Sequence, residues 1–399
     1  MRSRWCYSPE SEALGDILRD LSSCINCGFA SLTDVPLRAP IATATSDCRP
    51  WNLALRLAQC PECGFVQTIV DDSWRESVRE IYRLYDSYFQ SSSKDQLTFL
   101  GDTGESRTYA FVKEILKEIE LPMGARVLDF GCGSGNVLRA LSHLRPDLFL
   151  DGFDLDSRAE ARLRSIPNLI NFFSEDPPTS GGYQLVIFSH TLEHLESPAT
   201  TLHKMSELLT SDGQLAIAVP DCLADPIKLT VADHCSHFFP ESLAAWLIEL
   251  GFSPRTLPTG SLSRECLVLA RRDVEQSESA SRTPAPWFPR ALEWLQESAT
   301  QLRLADRRPI TGVFGTSIAG AWVVAQEPQL ANFFVDEDSS RNRTFHEREV
   351  YGVDSVPHGR RVLVPFTGEY LTSILGRLRS RRPDVHWCGL HEIANQQQG

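Results

Sequence analysis

The sequence predicts an α/β protein in which a parallel sheet wrapped by helices is flanked by an N-terminal metal-binding module and a smaller C-terminal α/β domain. Three observations support this fold class. Between residues 125 and 271, β-like apolar runs alternate with helical ones, which is typical of a parallel sheet with crossover helices. One of these runs leads into a glycine-rich turn at residues 131–135. Two Cys-x-x-Cys pairs, at residues 24–27 and 60–63, precede this region.

Length and charge limit the classes of function. The 399 residues are enough for two or three domains, at about 100–200 residues per domain. With 39 Lys and Arg against 52 Asp and Glu, the net charge of −13 argues against nucleic acid or a membrane as the main partner. The chain starts without a secretory signal, and no apolar run reaches the roughly 18 residues of a membrane span. We therefore expect a cytoplasmic, reduced protein, monomeric or homodimeric, whose clustered cysteines bind a metal.

Composition shifts divide the chain into five parts. In the second part, apolar residues recur at helical spacing over 74–85 and 107–120. A polar segment rich in Pro and Ser, at 271–286, marks a linker, and the α/β rhythm then returns on a smaller scale. The predicted parts are a metal-binding module (1–72), a helical connector (73–121), the central domain (122–272), a linker with a helix (273–305) and a C-terminal α/β domain (306–399).

The two cysteine pairs predict one zinc site. Four thiolates at about 2.3 Å suit a tetrahedral Zn²⁺ ion, and a glycine after each pair permits the tight turn that such a knuckle needs. Four sulfur ligands leave no open position for a substrate, which favours a structural ion. The alternatives are two unrelated thiol turns or a redox pair. The predicted ligands are Cys24, Cys27, Cys60 and Cys63.

A strand at 126–130 runs into a turn of the pattern Gly-x-Gly-x-Gly, and a helix follows. Glycines at 131, 133 and 135 let the backbone approach a ligand where a Cβ would clash. Asp129 can order this loop or orient an amine. Asp154, at the end of the next predicted strand, can accept hydrogen bonds from ribose hydroxyls.

Together these features resemble the Rossmann-like, class I methyltransferases that use S-adenosylmethionine. The resemblance implies that Asp129 with Gly131, Gly133 and Gly135 holds the methionine end of the cofactor, and that Asp154 binds its ribose. It further places Glu175 near adenine, with Ser174 and Asp176 as alternatives, and His190 in the cleft between cofactor and acceptor. The competing hypothesis is a nicotinamide-dependent dehydrogenase.

The order of parts is similar to that of the sugar C-methyltransferases, which combine an N-terminal zinc-binding domain with a C-terminal Rossmann-like domain. The segment 57–68 resembles the second knuckle of that family. The resemblance implies a nucleotide-linked keto-deoxysugar acceptor, methylated on the carbon beside its ketone. It also implies that the connector closes over the acceptor site.

Methylation beside a ketone needs a base and a stabilised enolate. The family supplies catalytic groups from a Tyr-x-Glu-His segment after the fifth strand, which His234 and Asp233 match here, while Val231 replaces the tyrosine. His194 matches a family histidine after the fourth strand. Tyr85 and Tyr88 lie in the region of the family's N-terminal catalytic tyrosine.

Plainer explanations exist for each of these residues. His194 could cap the following helix, Asp233 and His234 could form a structural pair, and the two tyrosines could pack in the core. Residues 190–194 also fit the HxxEH pattern of a metalloprotease, which requires both histidines on one helix face. Arginines of the C-terminal domain could bind the phosphates of a nucleotide carrier, or could form a solvated face.

Three hypotheses of function follow. The first is C-methylation of a nucleotide-linked keto-deoxysugar by base-assisted enolate formation. The second keeps S-adenosylmethionine but transfers the methyl group to oxygen, nitrogen or carbon of another natural-product intermediate. The third is a non-catalytic, zinc-containing scaffold with a vestigial methyltransferase fold.

Overall fold

The computed structural model describes residues 23–30, 32–85, 97–100, 103–260, 262–272, 287–305, 311–338 and 343–392. Its elements fall into an N-terminal module, a central sheet and a C-terminal sheet. Among the described residues, no helix has the length and apolar character needed to cross a bilayer.

The N-terminal module consists of two short antiparallel pairs. Strand β1 (Thr43–Ala44) pairs with β2 (Pro50–Trp51), and β3 (Leu57–Gln59) pairs with β4 (Val66–Thr68). Helix α1 (Asp72–Arg83) follows directly. It starts there because the Asp71 side chain accepts a hydrogen bond from the Trp74 N–H at 2.9 Å, an N-cap.

Between the module and the central sheet lie a hairpin and a second helix. Strands β5 (Leu97–Leu100) and β6 (Thr103–Ser106) are antiparallel, and α2 (Arg107–Glu118) begins after the N-cap Ser106. Both helices predicted for the connector are therefore confirmed, whereas the hairpin was not predicted.

The central sheet has the Rossmann-like form that was predicted. Its strand order is β13-β14-β11-β10-β7-β8-β9, and β14 runs antiparallel to both of its neighbours. The strands are β7 (Arg126–Phe130), β8 (Phe149–Phe153), β9 (Leu169–Phe173), β10 (Tyr183–Ser189), β11 (Leu209–Pro220), β13 (Phe252–Thr256) and β14 (Glu265–Arg272), with β12 (Ser236–His237) outside this sheet. The helices are α3 (Asn136–Leu144), α4 (Glu160–Leu163), α5 (Pro198–Ser206) and α6 (Pro240–Glu249).

Apolar residues cover both faces of this sheet. In β10, Leu185 and Ile187 pack into the core on one face, while Val186 and Phe188 pack into the core on the other. A strand that is buried on both faces has a continuous apolar sequence, which explains why these strands could be predicted from the sequence.

Strand β12 joins the central domain to the N-terminal module. It leaves the connection after β11 and pairs with β4, so that β12, β4 and β3 form a three-stranded sheet. The loop that leads into β12 contains Val231, Asp233 and His234. The module therefore fixes the position of this loop.

The C-terminal domain is a second, smaller Rossmann-like unit preceded by a helix. Its sheet has the order β17-β18-β16-β15-β19-β20, with all pairs parallel except β17 with β18. The elements are α7 (Trp287–Leu304), β15 (Thr311–Phe314), α8 (Ile318–Gln326), β16 (Phe333–Asp336), β17 (Thr344–Phe345), β18 (Arg348–Gly352), β19 (Arg361–Val364), α9 (Gly368–Arg381) and β20 (His386–Gly389).

The C-terminal domain shares one hydrophobic core with the N-terminal module. Ile41 and Leu57 of the module belong to the same buried cluster as Trp322 and Phe334 of the C-terminal domain. A hydrogen bond also connects the two parts, since the side-chain oxygen of Gln326 accepts from the Ala42 N–H at 2.9 Å. The N-terminal module and the C-terminal domain are thus packed against each other.

We expect Gly320→Ala to destabilise the C-terminal domain by about 1–3 kcal/mol, because an added Cβ would lie 2.4 Å from the backbone oxygen of Gly315. Thermal unfolding of the full chain measures the change. Gly376→Ala, at an exposed position of helix α9, is the matched control. Its Cβ meets no atom within 4 Å, and the helix should gain about 0.5–1 kcal/mol. Equal effects of the two substitutions would contradict the packing described here.

Candidate active site

The glycine-rich turn leaves the carboxyl end of β7 and leads into α3. Gly131, Gly133 and Gly135 all have positive φ, at 81°, 49° and 82°. A Cβ at Gly131 would overlap the side chain of Thr191, and one at Gly135 would overlap Leu163, whereas one at Gly133 meets no atom within 4 Å. Gly131 and Gly135 therefore serve packing within the chain, and the backbone at Gly133 is the part of the turn open to a ligand.

Two carboxylates flank this turn. Asp129 is 1% exposed, and within the described residues neither of its carboxylate oxygens has a hydrogen-bond partner. Burial, with the charge of Asp154, raises the pKa of Asp129 to about 8. Asp154 accepts from the Gly133 N–H at 2.7 Å and from the Asp156 N–H at 2.8 Å. A buried carboxyl without a donor is the group that a cationic ligand would complete.

His190 lies at the carboxyl end of β10, where its φ is 53°. Its Nε2 is 2.9 Å from a carboxylate oxygen of Glu265, and its Nδ1 is 3.3 Å from one of Glu193. Arg107, at the start of α2, lies 3.5 Å from Glu265. Burial and Arg107 lower the pKa of His190, but the two carboxylates outweigh them and place it above its ordinary value. The side chain of His190 thus belongs to a buried charge network.

The neighbouring positions bear on two further predictions. The HxxEH pattern does not form one helix face, because His190 follows a strand and only Leu192–His194 form a single 3₁₀ turn.

Glu175 is exposed, two residues beyond β9, and its side chain makes no hydrogen bond within the described residues. Its role beside adenine stays a prediction.

His194 lies beside the segment that follows β11. Its Nδ1 is 3.0 Å from the backbone oxygen of Asp233 and 3.2 Å from the hydroxyl of Tyr82. A carbonyl oxygen can only accept, so Nδ1 carries the proton and Nε2 has the free lone pair. The ring of His234 stands edge-on to that of His194, with centroids 4.6 Å apart. The structure therefore brings together the two histidines predicted from separate motifs.

His234 and Asp233 differ in their surroundings. His234 is buried, and burial together with His194 lowers its pKa well below the ordinary value, so its imidazole is neutral. The Asp233 carboxylate is 0% exposed and lies 3.5 Å from His194 Nδ1, behind that ring. The carboxylate of Asp233 thus faces His194. Val231 is also buried, and its backbone forms a parallel β-bridge with Ala44. As a valine, it provides no phenol at this position.

Two tyrosines at the end of α1 lie near His194 and Asp233. The Tyr85 backbone oxygen accepts from Arg158 Nη2 at 2.9 Å, which fixes the chain beside the loop after β8. Burial and the charge of Asp233 raise the pKa of Tyr85. Tyr88 lies outside the described residues. Tyr82 was not predicted, although it lies four residues after the buried Val78, on a helix whose apolar spacing was recognised.

The four predicted zinc ligands form one cluster. Their sulfur atoms lie within 4.8 Å of one another, with Cys24 to Cys63 at 3.7 Å and Cys27 to Cys60 at 3.6 Å. Sulfurs around a tetrahedral zinc ion at about 2.3 Å are about 3.8 Å apart, so the cluster fits the ion. The two knuckles also match, because the N–H of each first cysteine donates to the oxygen five residues later, at 2.8 and 2.9 Å.

One arginine proposed for phosphate binding has another role. The Arg348 guanidinium donates to the backbone oxygens of Ala331, His346 and Pro328, at 2.5, 2.7 and 2.9 Å. These bonds hold the hairpin β17–β18 against the loop before β16. Arg348 is therefore a structural residue of the C-terminal domain.

Comparison with known proteins gives matches to part of the chain. Residues 104–257 match the model of a methyltransferase domain. Trans-aconitate 2-methyltransferase of Methylobacterium nodulans is 30% identical over 121 residues, which are 28% of this chain and 45% of the relative. Carboxy-S-adenosyl-L-methionine synthase of Campylobacter concisus is 31% identical over 101 residues, 23% of this chain and 43% of the relative. The chain spans about half the length of the curated relatives it matches.

Among solved structures, the mitomycin 7-O-methyltransferase MmcR is similar with a TM-score of 0.36 and 18% identity, over 42% of this chain and 54% of that protein. The plantazolicin methyltransferase BpumL, solved with SAH, gives a TM-score of 0.35 and 13% identity, over 42% and 82%. The glycine-rich turn and most strands of the central sheet lie within the residues that the family model matches. The strand order and the family model thus agree that residues 104–257 have the Rossmann-like fold of a methyltransferase domain.

Proposed function

We propose that the protein transfers a methyl group from S-adenosylmethionine to a small molecule, and that its acceptor is a nucleotide-linked keto-deoxysugar methylated on the carbon beside the ketone. One observation carries the proposal. At the carboxyl edge of one sheet, a glycine turn with a buried, donor-free Asp129 lies at the end of β7, and His194 with a free Nε2 follows the adjacent β10. Ligands of open α/β sheets bind at this edge.

The residues around the glycine turn fit the cofactor. When bound, S-adenosylmethionine supplies an activated methyl group carried by a sulfonium. Asp129 would receive its ammonium group, because the carboxyl is buried without a donor. The backbone at Gly133 would lie against its methionine part, since no atom occupies the space where a Cβ would stand. Asp154, which already orders the turn through the Gly133 N–H, would accept from the ribose hydroxyls.

His194 would remove the proton from the acceptor carbon. Its Nδ1–H is held by the Asp233 backbone oxygen, so the lone pair of Nε2 is available as a base. The Asp233 carboxylate behind the ring would stabilise the imidazolium that forms. His234, neutral and edge-on to His194, would line the acceptor side of the cleft together with Tyr85.

We further propose that the four-cysteine cluster holds one structural Zn²⁺ ion. Its sulfur spacing supports this, and two of its members, Cys24 and Cys60, are buried. The ion would fix the second knuckle, which leads into β4. Strand β4 pairs with β12, and β12 directly follows the segment that contains Asp233.

One observation favours a second candidate function. The buried Val231 takes the place of the family's tyrosine, and removes a phenol from the catalytic segment. Methyl transfer to oxygen or nitrogen of another natural-product intermediate needs less stabilisation of a carbanion. Mass spectrometry of the products locates the added methyl group and separates the two candidates.

Binding of S-adenosylmethionine at pH 7 should release close to one proton from Asp129. The pKa of about 8 keeps its carboxyl protonated before binding, and the cofactor's ammonium group favours the ionised form. Calorimetric titration in two buffers of different ionisation enthalpy measures the release. It should shrink at pH 9, where Asp129 is already ionised, and vanish in Asp129→Asn. Binding without any buffer dependence at pH 7 would refute this role for Asp129.

Purified protein should contain one zinc per chain, and Cys24→Ser or Cys60→Ser should remove it, because each substitution takes away one of four thiolate ligands. Metal analysis by mass spectrometry gives the ratio. Cys388→Ser, which alters a buried cysteine of the C-terminal domain, should leave the zinc content unchanged. Full zinc in the double variant Cys24→Ser, Cys60→Ser would exclude this site.

His194→Asn should lower kcat by roughly 10²–10⁴, the range of a positioned base, with the affinity for S-adenosylmethionine changed less than about threefold. Mass spectrometry of reactions with keto-deoxysugar nucleotides measures turnover, and calorimetry measures cofactor binding. His203→Asn, on the exposed side of α5, is the matched control and should leave kcat unchanged.

A second readout isolates the base from methyl transfer. In D₂O without cofactor, the native protein should exchange the acceptor's C–H beside the ketone, and His194→Asn should not. Exchange at the native rate in His194→Asn would assign the proton transfer to another group.

A further inference from the structure

The buried carboxylate of Asp233 is held by a residue distant in the sequence. The Ser46 N–H donates to Oδ1 of Asp233 at 2.8 Å, and the Ser46 hydroxyl donates to Oδ2 at 2.5 Å. The two residues are 187 positions apart in the chain. Two donors from one residue fix both the position and the orientation of the carboxylate.

The loop that carries Ser46 is itself rigidly held. The Ala44 backbone oxygen accepts from the Ala232 N–H at 2.8 Å, one residue before Asp233. Arg49 pairs with Asp47 at 2.9 Å and donates through Nη2 to the Ile81 oxygen of α1 at 3.1 Å. Ser46 is therefore presented to Asp233 by a framework that ties β1, the catalytic segment and α1 together.

A phenol extends this chain of hydrogen bonds. The Tyr85 side chain is hydrogen-bonded to that of Ser46. Because the single hydroxyl proton of Ser46 goes to Asp233, Tyr85 acts as donor to Ser46. Ser46 thus links a tyrosine at the edge of the cleft with the carboxylate behind His194.

We infer that Ser46 is a positioning residue that acts through Asp233 on His194, keeping its Nδ1 protonated and its Nε2 free. The inference rests on the proposed function for its catalytic meaning, but its geometry does not. Asp233 touches His194 Nδ1 twice, through its backbone oxygen at 3.0 Å and its carboxylate at 3.5 Å. Without the hydroxyl of Ser46, the carboxylate keeps the Ser46 N–H at Oδ1 but loses the shorter hydrogen bond at Oδ2, so its orientation toward the ring is less firmly fixed.

The tautomer of His194 tests the inference without any acceptor. In protein labelled with ¹⁵N in histidine, and assigned with His194→Asn, His194 should show the form protonated at Nδ1. Ser46→Ala should shift it toward a mixture with the Nε2-protonated form, whereas Ser46→Thr, which keeps the hydroxyl, should restore the native spectrum. A native tautomer in Ser46→Ala, or an Nε2-protonated His194 in the unaltered protein, would overturn the inference.

Steady-state kinetics supply the second readout. Loss of one hydrogen bond to a buried charge should lower kcat roughly tenfold to hundredfold in Ser46→Ala, with KM for S-adenosylmethionine nearly unchanged. Ser46→Cys keeps the shape of the side chain but donates weakly, so a purely structural role predicts native kcat, and a positioning role predicts a loss close to that of Ser46→Ala. Native kcat in Ser46→Cys would contradict the inference.

Controls separate this result from misfolding and from a wrong acceptor. Thr43→Val removes a nearby hydroxyl that, among the described residues, donates only to the backbone oxygens of Leu53 at 2.9 Å and Trp51 at 3.3 Å. It should leave kcat and the His194 tautomer unchanged. Should Ser46→Ala fail to fold, Ser46→Cys decides the case. Absence of methyl transfer with every acceptor would reject the proposed function, while the tautomer measurement would still judge Ser46.

Discussion

The pairing of β4 with β12 is the interaction on which the rest of the site depends. Two backbone registers, Gln67 with Ser236 and Val66 with His237, attach the segment after β11 to the module that carries the cysteine cluster. Thr68 adds a hydrogen bond to the His234 oxygen at 2.8 Å, and Trp74 of α1 donates to the Ala232 oxygen at 2.9 Å. Because these donors and acceptors are buried, releasing the segment would leave several polar groups unsatisfied at once, so its position is strongly fixed.

The module in turn depends on the C-terminal domain. Its apolar side packs into the core around Trp322, and His346, at the turn before β18, donates through Nε2 to the Cys48 oxygen at 2.8 Å. Cys48 lies two residues after Ser46, so the C-terminal domain supports the loop that faces Asp233. The candidate site is therefore supported by three parts of the chain: the N-terminal module, the central domain and the C-terminal domain.

The parts of the structure that follow local rules could be predicted from the sequence, and those made by distant contacts could not. Apolar runs predicted the central strands, because the sheet is buried on both faces. The spacing of the cysteines predicted a cluster, and the four sulfur atoms do lie together. Strand β18 was missed because it is short, begins with two charged residues and is only partly buried. Strand β12 has two residues and no pattern of its own, and Ser46 meets Asp233 across 187 positions, so no spacing rule could connect them. Tyr82 could have been predicted from the sequence, since it lies on the buried side of a helix that was recognised there.

The contact between Ser46 and Asp233 also has a consequence for how the protein is made. A ribosome completes the module and the glycine turn long before the C-terminal domain, which must pack against residues such as Ile41 before the module has its full core. Contacts of such long sequence separation form slowly, because the entropy of closing the loop is lost before they add stability. The nascent chain can thus form the glycine-rich turn before the C-terminal domain has packed against the module that carries Ser46.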